Sequence, residues 1–81
     1  QLNEEINIYK ASLPKPLVGQ TVVSSGMRTK FELNIIAIQN AAGVTDMISP
    51  NYIFQEGDLL FLAGSRDGFK ALTEWVGLAG E

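Results

Sequence analysis

The chain has no cysteine and no histidine. The first absence removes a disulfide framework and every thiolate metal site. The second removes the commonest general base, the commonest zinc ligand and every histidine-dependent catalytic triad. Basic residues are few: six Lys and Arg stand against nine Asp and Glu, for a net charge of −3. Such a balance argues against a general binder of the nucleic-acid backbone, which needs a basic face. A small anionic ligand needs only one or two well-placed donors and is not excluded. Long apolar runs are missing too. The longest, Leu59 to Ala63, has five residues, far short of the roughly 20 that a membrane helix requires. No signal peptide, internal repeat or low-complexity tract is visible.

What is present suits one small domain spanning residues 1–81. The apolar fraction of 46% is enough for a core and too high for disorder. A chain this short buries only about 60% of its unfolded surface and gains from a partner. It starts at Gln1 rather than at methionine, which leads to the expectation of a domain excised from a longer protein.

Glu4 to Ala11 alternates polar and apolar side chains, with Ile6 and Ile8 on one face, and reads as a half-exposed strand. Pro14 and Pro16 end it. Thr21 is a candidate N-cap for a short helix carrying Val22 and Val23, and a further helical turn is expected over Met27 to Phe31. Leu33 to Gln39 is a second strand, Asn40 to Gly43 a hairpin-like turn, and Val44 to Ile48 a short return strand. Ser49-Pro50-Asn51 breaks it, and Tyr52-Ile53-Phe54 turns back toward the core. Glu56-Gly57-Asp58 forms a polar turn ahead of the strand Leu59 to Ala63. The unbroken apolar run of this strand, and the β-branched residues and lack of strict alternation in Leu33 to Gln39, imply cover on both faces. Ser65 is placed to cap a helix from Arg66, with Phe69, Leu72 and Val76 in one stripe, Trp75 on its margin, and Gly77 and Gly80-Glu81 at its end. The order predicts an α+β fold, β-α-β-β-β-α. A second copy is the simplest cover for the remaining apolar surface, through a two-fold pairing.

Four segments in this order resemble the TrkA-C domain, also called the RCK C-terminal domain, of bacterial potassium and cation transport proteins. They are Leu17-Val18-Gly19-Gln20-Thr21, Leu33-Asn34-Ile35-Ile36-Ala37-Ile38, Ser49-Pro50-Asn51 with Tyr52-Ile53-Phe54, and Gln55 to Gly64. The resemblance implies a two-fold dimer with the sheet and first helix near the seam. It further implies a cytoplasmic regulatory role attached to a membrane cation transporter or channel subunit. In relatives of this family a nucleotide-binding Rossmann-like domain precedes this one; its Gly-x-Gly-x-x-Gly fingerprint does not occur in this chain.

The resemblance also implies candidate residues. Some members bind cyclic di-adenosine monophosphate across the dimer seam, with an arginine six residues before an Asn-apolar-apolar strand start and a proline further along. Arg28, Asn34-Ile35-Ile36 and Pro50 match that spacing, and Val22 and Val23 match the apolar pair on the first helix. Each Arg28 would fork onto one phosphate. Asn34 and the backbone N–H groups of Ile35 and Ile36 would bind the same phosphate. Val22, Val23, Ile36 and Pro50 would wall the adenines. Many relatives carry a histidine after the central strand, where this chain has Ala42-Gly43.

Other residues read more plainly. Glu4-Glu5 is a solvated pair, Glu56 and Asp58 flank a turn, and Asp46 or Asp58 alone is a weak site for a hard cation. Neither a metal nor a resident cofactor is expected, nor direct binding of a nucleic-acid polymer, and an enzyme is the least favoured class. Two alternatives to the sensor reading remain open: a ligand-free dimerisation module of a transporter, and the C-terminal sensor of a DNA-binding repressor.

Overall fold

Alternating side chains make the first described segment a sheet edge. The computed structural model describes residues 5–78. In it β1 runs from Asn7 to Ser12 with every second residue inward. Asn7, Tyr9 and Ala11 face the core side, and Ile8 is exposed. Ile6 and Ile8 therefore share the outer face, and Glu4 lies outside the described residues. Pro14 and Pro16 end the strand in a 3-10 turn, Lys15–Leu17, which drops Leu17 into the core.

Two short helices follow, α1 (Val22–Ser25) and α2 (Met27–Phe31), then β2 (Asn34–Asn40), β3 (Gly43–Thr45), β4 (Leu59–Gly64) and α3 (Arg66–Leu78). The four strands form one antiparallel sheet in the order β1-β4-β2-β3. The most apolar strand, β4, lies inside it. Leu62 stands opposite Tyr9 on one side and Ile35 on the other. Leu60, Leu62 and Ile38 are wholly buried with Leu17, Met27, Phe31, Leu33, Phe54 and Leu72 in one cluster. Each of these side chains contributes about 1.5–3 kcal/mol by leaving water.

Within the one chain, that cluster covers one face of the sheet. Burial along β4 alternates, with Leu59, Phe61 and Ala63 only half-buried. In β2, Asn34, Ile36 and Gln39 are exposed. The chain's own helices and 3-10 turn pack on the inner face, which leaves the half-buried Leu59, Phe61 and Ala63 on the other.

The return strand is also shorter than the expected Val44 to Ile48. Only Gly43–Thr45 pairs with β2. Beyond it the backbone turns on itself: Tyr52 N–H donates to Ser49 O at 3.0 Å and Asn51 N–H to the Ser49 hydroxyl at 3.1 Å. Pro50, with no N–H to offer a ladder, sits in this turn. Phe54 is then buried as expected, while Ile53 remains exposed.

At the other end, Ser65 Oγ accepts the Gly68 N–H at 3.0 Å and caps α3. Phe69 stacks on Tyr9 with ring centres 4.2 Å apart, and Trp75 tilts against Phe31 at 5.9 Å. The helix passes through Gly77 to Leu78 instead of ending there. Gly77 does not adopt the left-handed geometry that a terminal glycine uses. Gly80 and Glu81 lie outside the described residues.

Asp58 is the feature least expected from sequence. It is a buried carboxylate, 1% exposed. One oxygen accepts the Asn40 amide at 3.0 Å; the other accepts the Tyr52 hydroxyl at 2.7 Å and the Gln55 N–H at 3.0 Å. Both oxygens are thus engaged by its own chain, and no group of three or more metal-binding side chains occurs among the described residues. Burial, and then the Asp58 carboxylate, raise the Tyr52 pKa. A raised folded-state value means that the neutral phenol favours folding. Its contribution is complete below the unfolded tyrosine pKa of about 10 and is lost as pH climbs through the folded value. Ultraviolet titration should therefore show Tyr52 ionising later than a free tyrosine, and urea stability should fall above about pH 10 in the parent but less in Tyr52→Phe.

Candidate ligand-binding site

Thr21 starts the site by nucleating α1. Its hydroxyl accepts the Ser24 N–H at 3.1 Å, and the Ser24 hydroxyl accepts the Thr21 N–H at 3.0 Å. This reciprocal cap holds a helix of only four residues, too short to persist by itself. Gly26, at φ 73°, ends α1 and starts α2, so the expected first helix is two turns joined at a kink. Buried Ser25 closes that kink: its hydroxyl donates to Val22 O at 2.6 Å and accepts the Met27 N–H at 3.2 Å.

On α2, Met27 and Phe31 are one turn apart and buried. Lys30 lies over the Trp75 ring, 5.6 Å from its centre. Arg28 and Thr29 are exposed and face a cavity. Glu32 ends the helix in the left-handed region at φ 56°, and Leu33 N–H bonds back to Met27 O at 3.1 Å. Asn34 and Ile35 then open β2 beside Arg28. The opposite wall is pinned by backbone hydrogen bonds: Val22 N–H to Tyr52 O and Val23 N–H to Pro50 O, both 3.0 Å. The turn at Pro50 is thereby laid against α1.

The resulting cavity has a volume of about 410 Å³, within the range of small-molecule sites. Six of the seven residues proposed from sequence line it: Val22, Val23, Arg28, Asn34, Ile35 and Pro50. Ile36 does not. A bulge in the β2–β4 register between Ile35 and Ala37 leaves it opposite no residue of β4, and it is 40% exposed. Thr29 and Ile48 line the cavity without having been singled out. Thr29 neighbours Arg28 on one helical turn. Ile48 arrives because the chain leaves the sheet after Thr45. Polar groups gather where α2 meets β2 (Arg28, Thr29, Asn34), and the wall from α1 to Pro50 is aliphatic. Such a cavity suits a molecule with an anionic group at one end and flat apolar surface at the other. A larger depression of about 660 Å³ lies over the hairpin, but Asn40, Tyr52 and Asp58 in its lining are bonded to one another.

The profile of the TrkA-C domain family matches residues 8–77. No curated protein sequence matches the chain. Among solved structures, the GsuK RCK domain superposes with a TM-score of 0.81 at 21% identity, over 90% of this chain and 16% of that one. The RCK C domain of the potassium transport protein KtrA, in complex with cyclic diadenosine monophosphate, superposes at 0.79 with 23% identity, over 86% of this chain and 82% of that one. The RCK_C domain dimer of S. agalactiae BusR, in complex with the same dinucleotide, gives 0.73 and 18%, over 88% and 96%. The chain thus spans about a sixth of GsuK and most of the isolated domains. These likenesses establish the expected α+β fold. BusR is also matched in complex with its busAB-promotor DNA, so the comparisons lend no support to the expectation that excluded nucleic acid. No helix among the described residues is long and apolar enough to cross a membrane.

Proposed function

The chain belongs to the TrkA-C domain family, and from that premise we propose that it is a ligand-sensing regulatory domain of a bacterial potassium or cation transport system. It acts on the cytoplasmic side, binds cyclic di-adenosine monophosphate at a two-fold dimer interface, and performs no catalysis. The observation that carries this reading is the cavity in which Arg28 and Asn34 stand beside the aliphatic wall of Val22, Val23, Ile35 and Pro50. Two solved domains of the same fold were captured with this dinucleotide.

The physical fit is direct. The ligand has two phosphates and approximate two-fold symmetry. A pair of domains presents two copies of the same half-site, and the second contact on one rigid molecule is effectively intramolecular. Arg28 supplies a planar fork for each phosphate. Val23, 66% exposed on the cavity rim, and Pro50 offer each purine an apolar face. Differential affinity for two dimer geometries would pass occupancy on to the attached transporter.

Isothermal titration of the domain with cyclic di-adenosine monophosphate tests the reading. Saturable heat at about one ligand per pair of chains is expected, and Arg28→Ala should weaken binding about 30-fold or more, as loss of a charge-assisted phosphate contact does. No heat from the parent at high micromolar ligand would remove the proposal. The match to BusR with promoter DNA favours a second reading, in which the same sensor sits on a DNA-binding repressor. Gel-shift of the full-length parent protein on its own promoter separates the two.

A further inference from the structure

We propose that Thr29 is a ligand contact, its hydroxyl donating to the phosphate that Arg28 holds; the inference rests on the reading of the cavity given above. The other side chains of α2 are committed elsewhere. Met27 and Phe31 are in the core, and Lys30 lies on Trp75. Of the three α2 residues that line the cavity, Met27 does so from the buried core, and Arg28 and Thr29 are the exposed ones.

The state of the hydroxyl supports this role. It donates one hydrogen bond, to Gly26 O at 3.5 Å, well beyond the usual 2.7–2.8 Å for a hydroxyl donor. That carbonyl already accepts the Lys30 N–H at 2.6 Å. Turning the hydroxyl proton toward a phosphate oxygen therefore sacrifices little and forms a shorter, charge-assisted bond. Thr29 is also short and β-branched, so few rotamers are lost when it is ordered. Arg28, long and exposed, supplies charge but not position. Thr29 on the same helical turn and Asn34 at the start of β2 would fix where the phosphate sits, each with a donor of limited reach.

Titration of Thr29→Val and Thr29→Ser with cyclic di-adenosine monophosphate, alongside melting of each protein without ligand, tests the assignment. Thr29→Val, which keeps the shape and loses the hydroxyl, should bind about 5- to 20-fold more weakly, while Thr29→Ser stays within about twofold of the parent. Unliganded melting temperatures should be alike in all three. Three results would overturn it: Thr29→Val binding as the parent does, Thr29→Ser falling as far as the valine variant, or a melting loss in unliganded Thr29→Val that parallels its affinity loss. A parent that gives no heat removes the cavity reading itself and this inference with it; a parent that binds beside an equally competent valine variant removes Thr29 alone.

Discussion

Asp58→Ala should lower the melting temperature more than any other single truncation of a polar side chain in the fold. Three donors converge on this carboxylate: the Asn40 amide, the Tyr52 hydroxyl and the Gln55 N–H. Its own backbone adds two more ties, accepting the Leu13 N–H at 2.9 Å and donating to Gln55 O at 3.0 Å. The carboxylate joins the end of β2, the segment after the Pro50 turn and the turn before β4. Alanine leaves the Asn40, Tyr52 and Gln55 donors without their acceptor and unties three segments of chain at once. The cost is about 2–4 kcal/mol, or roughly 10–25 °C in a domain of this size. Asp58→Asn should cost less, because the retained carbonyl can still accept from Tyr52 and Gln55 while its amide meets the Asn40 donor. Thermal melts of the two variants read this directly. An alanine variant that melts within a few degrees of the parent would show that the polar cluster is dispensable.

The second large effect concerns two glycines of α3 that respond to the same substitution with opposite signs. A Cβ at Gly68 would collide with the Phe31 carbonyl oxygen and press on the Ser65 hydroxyl that caps the helix, 3.4 Å away. Backbone cannot yield as the tip of a flexible side chain can. The helix must retreat from the end of α2, which spoils the Phe31–Trp75 contact. Gly68→Ala should therefore destabilise by about 2–3 kcal/mol, in the range of overpacking substitutions, and lower the melting temperature by roughly 10–20 °C. A Cβ at Gly77 meets nothing within 4 Å. There helix propensity decides, and Gly77→Ala should stabilise by about 0.5–1 kcal/mol. Paired denaturant curves test both together. Equal shifts of the same sign would show that the close approach of α3 to α2 does not govern stability.

Much of this architecture was legible in the sequence because its signals are local. Pro14 and Pro16, the Asn40 to Gly43 turn, Gly57 with its positive φ of 93° and the Ser65 cap each act through their own backbone. The order of elements followed from them. The run of apolar residues in β4 was less informative. Its inner residues are buried by the chain's own helices, and nothing in the letters says what meets the outer, half-buried ones. The inward turn of Asp58 is hidden for a related reason. Its partners Asn40 and Tyr52 are 18 and 6 residues away, and nothing in Glu56-Gly57-Asp58 shows which acid turns inward. Within the candidate site, Arg28 and Asn34 stood out through the family spacing. Thr29 and Ile48 did not, because one is an ordinary helix-surface residue and the other reaches the cavity only after a strand ends early. Ile36 entered with the family's Asn-apolar-apolar pattern, and a bulge sets it apart from the cavity lining.

Tyr52 belongs to two structures at once. Its carbonyl anchors the first amide of α1, and its hydroxyl is fixed by Asp58 on the far side of the segment. Residues 50 to 58 thus form one stiff bracket between the hairpin and the cavity rim. On the proposed ligand-binding reading, substitutions at Asn40 to Gly43 or at Gln55 to Asp58, which do not line the cavity, are expected to shift affinity for the ligand. By thermodynamic reciprocity, such a ligand would then alter how readily that distant turn opens, which amide exchange at Asn40 to Gly43 with and without it reads.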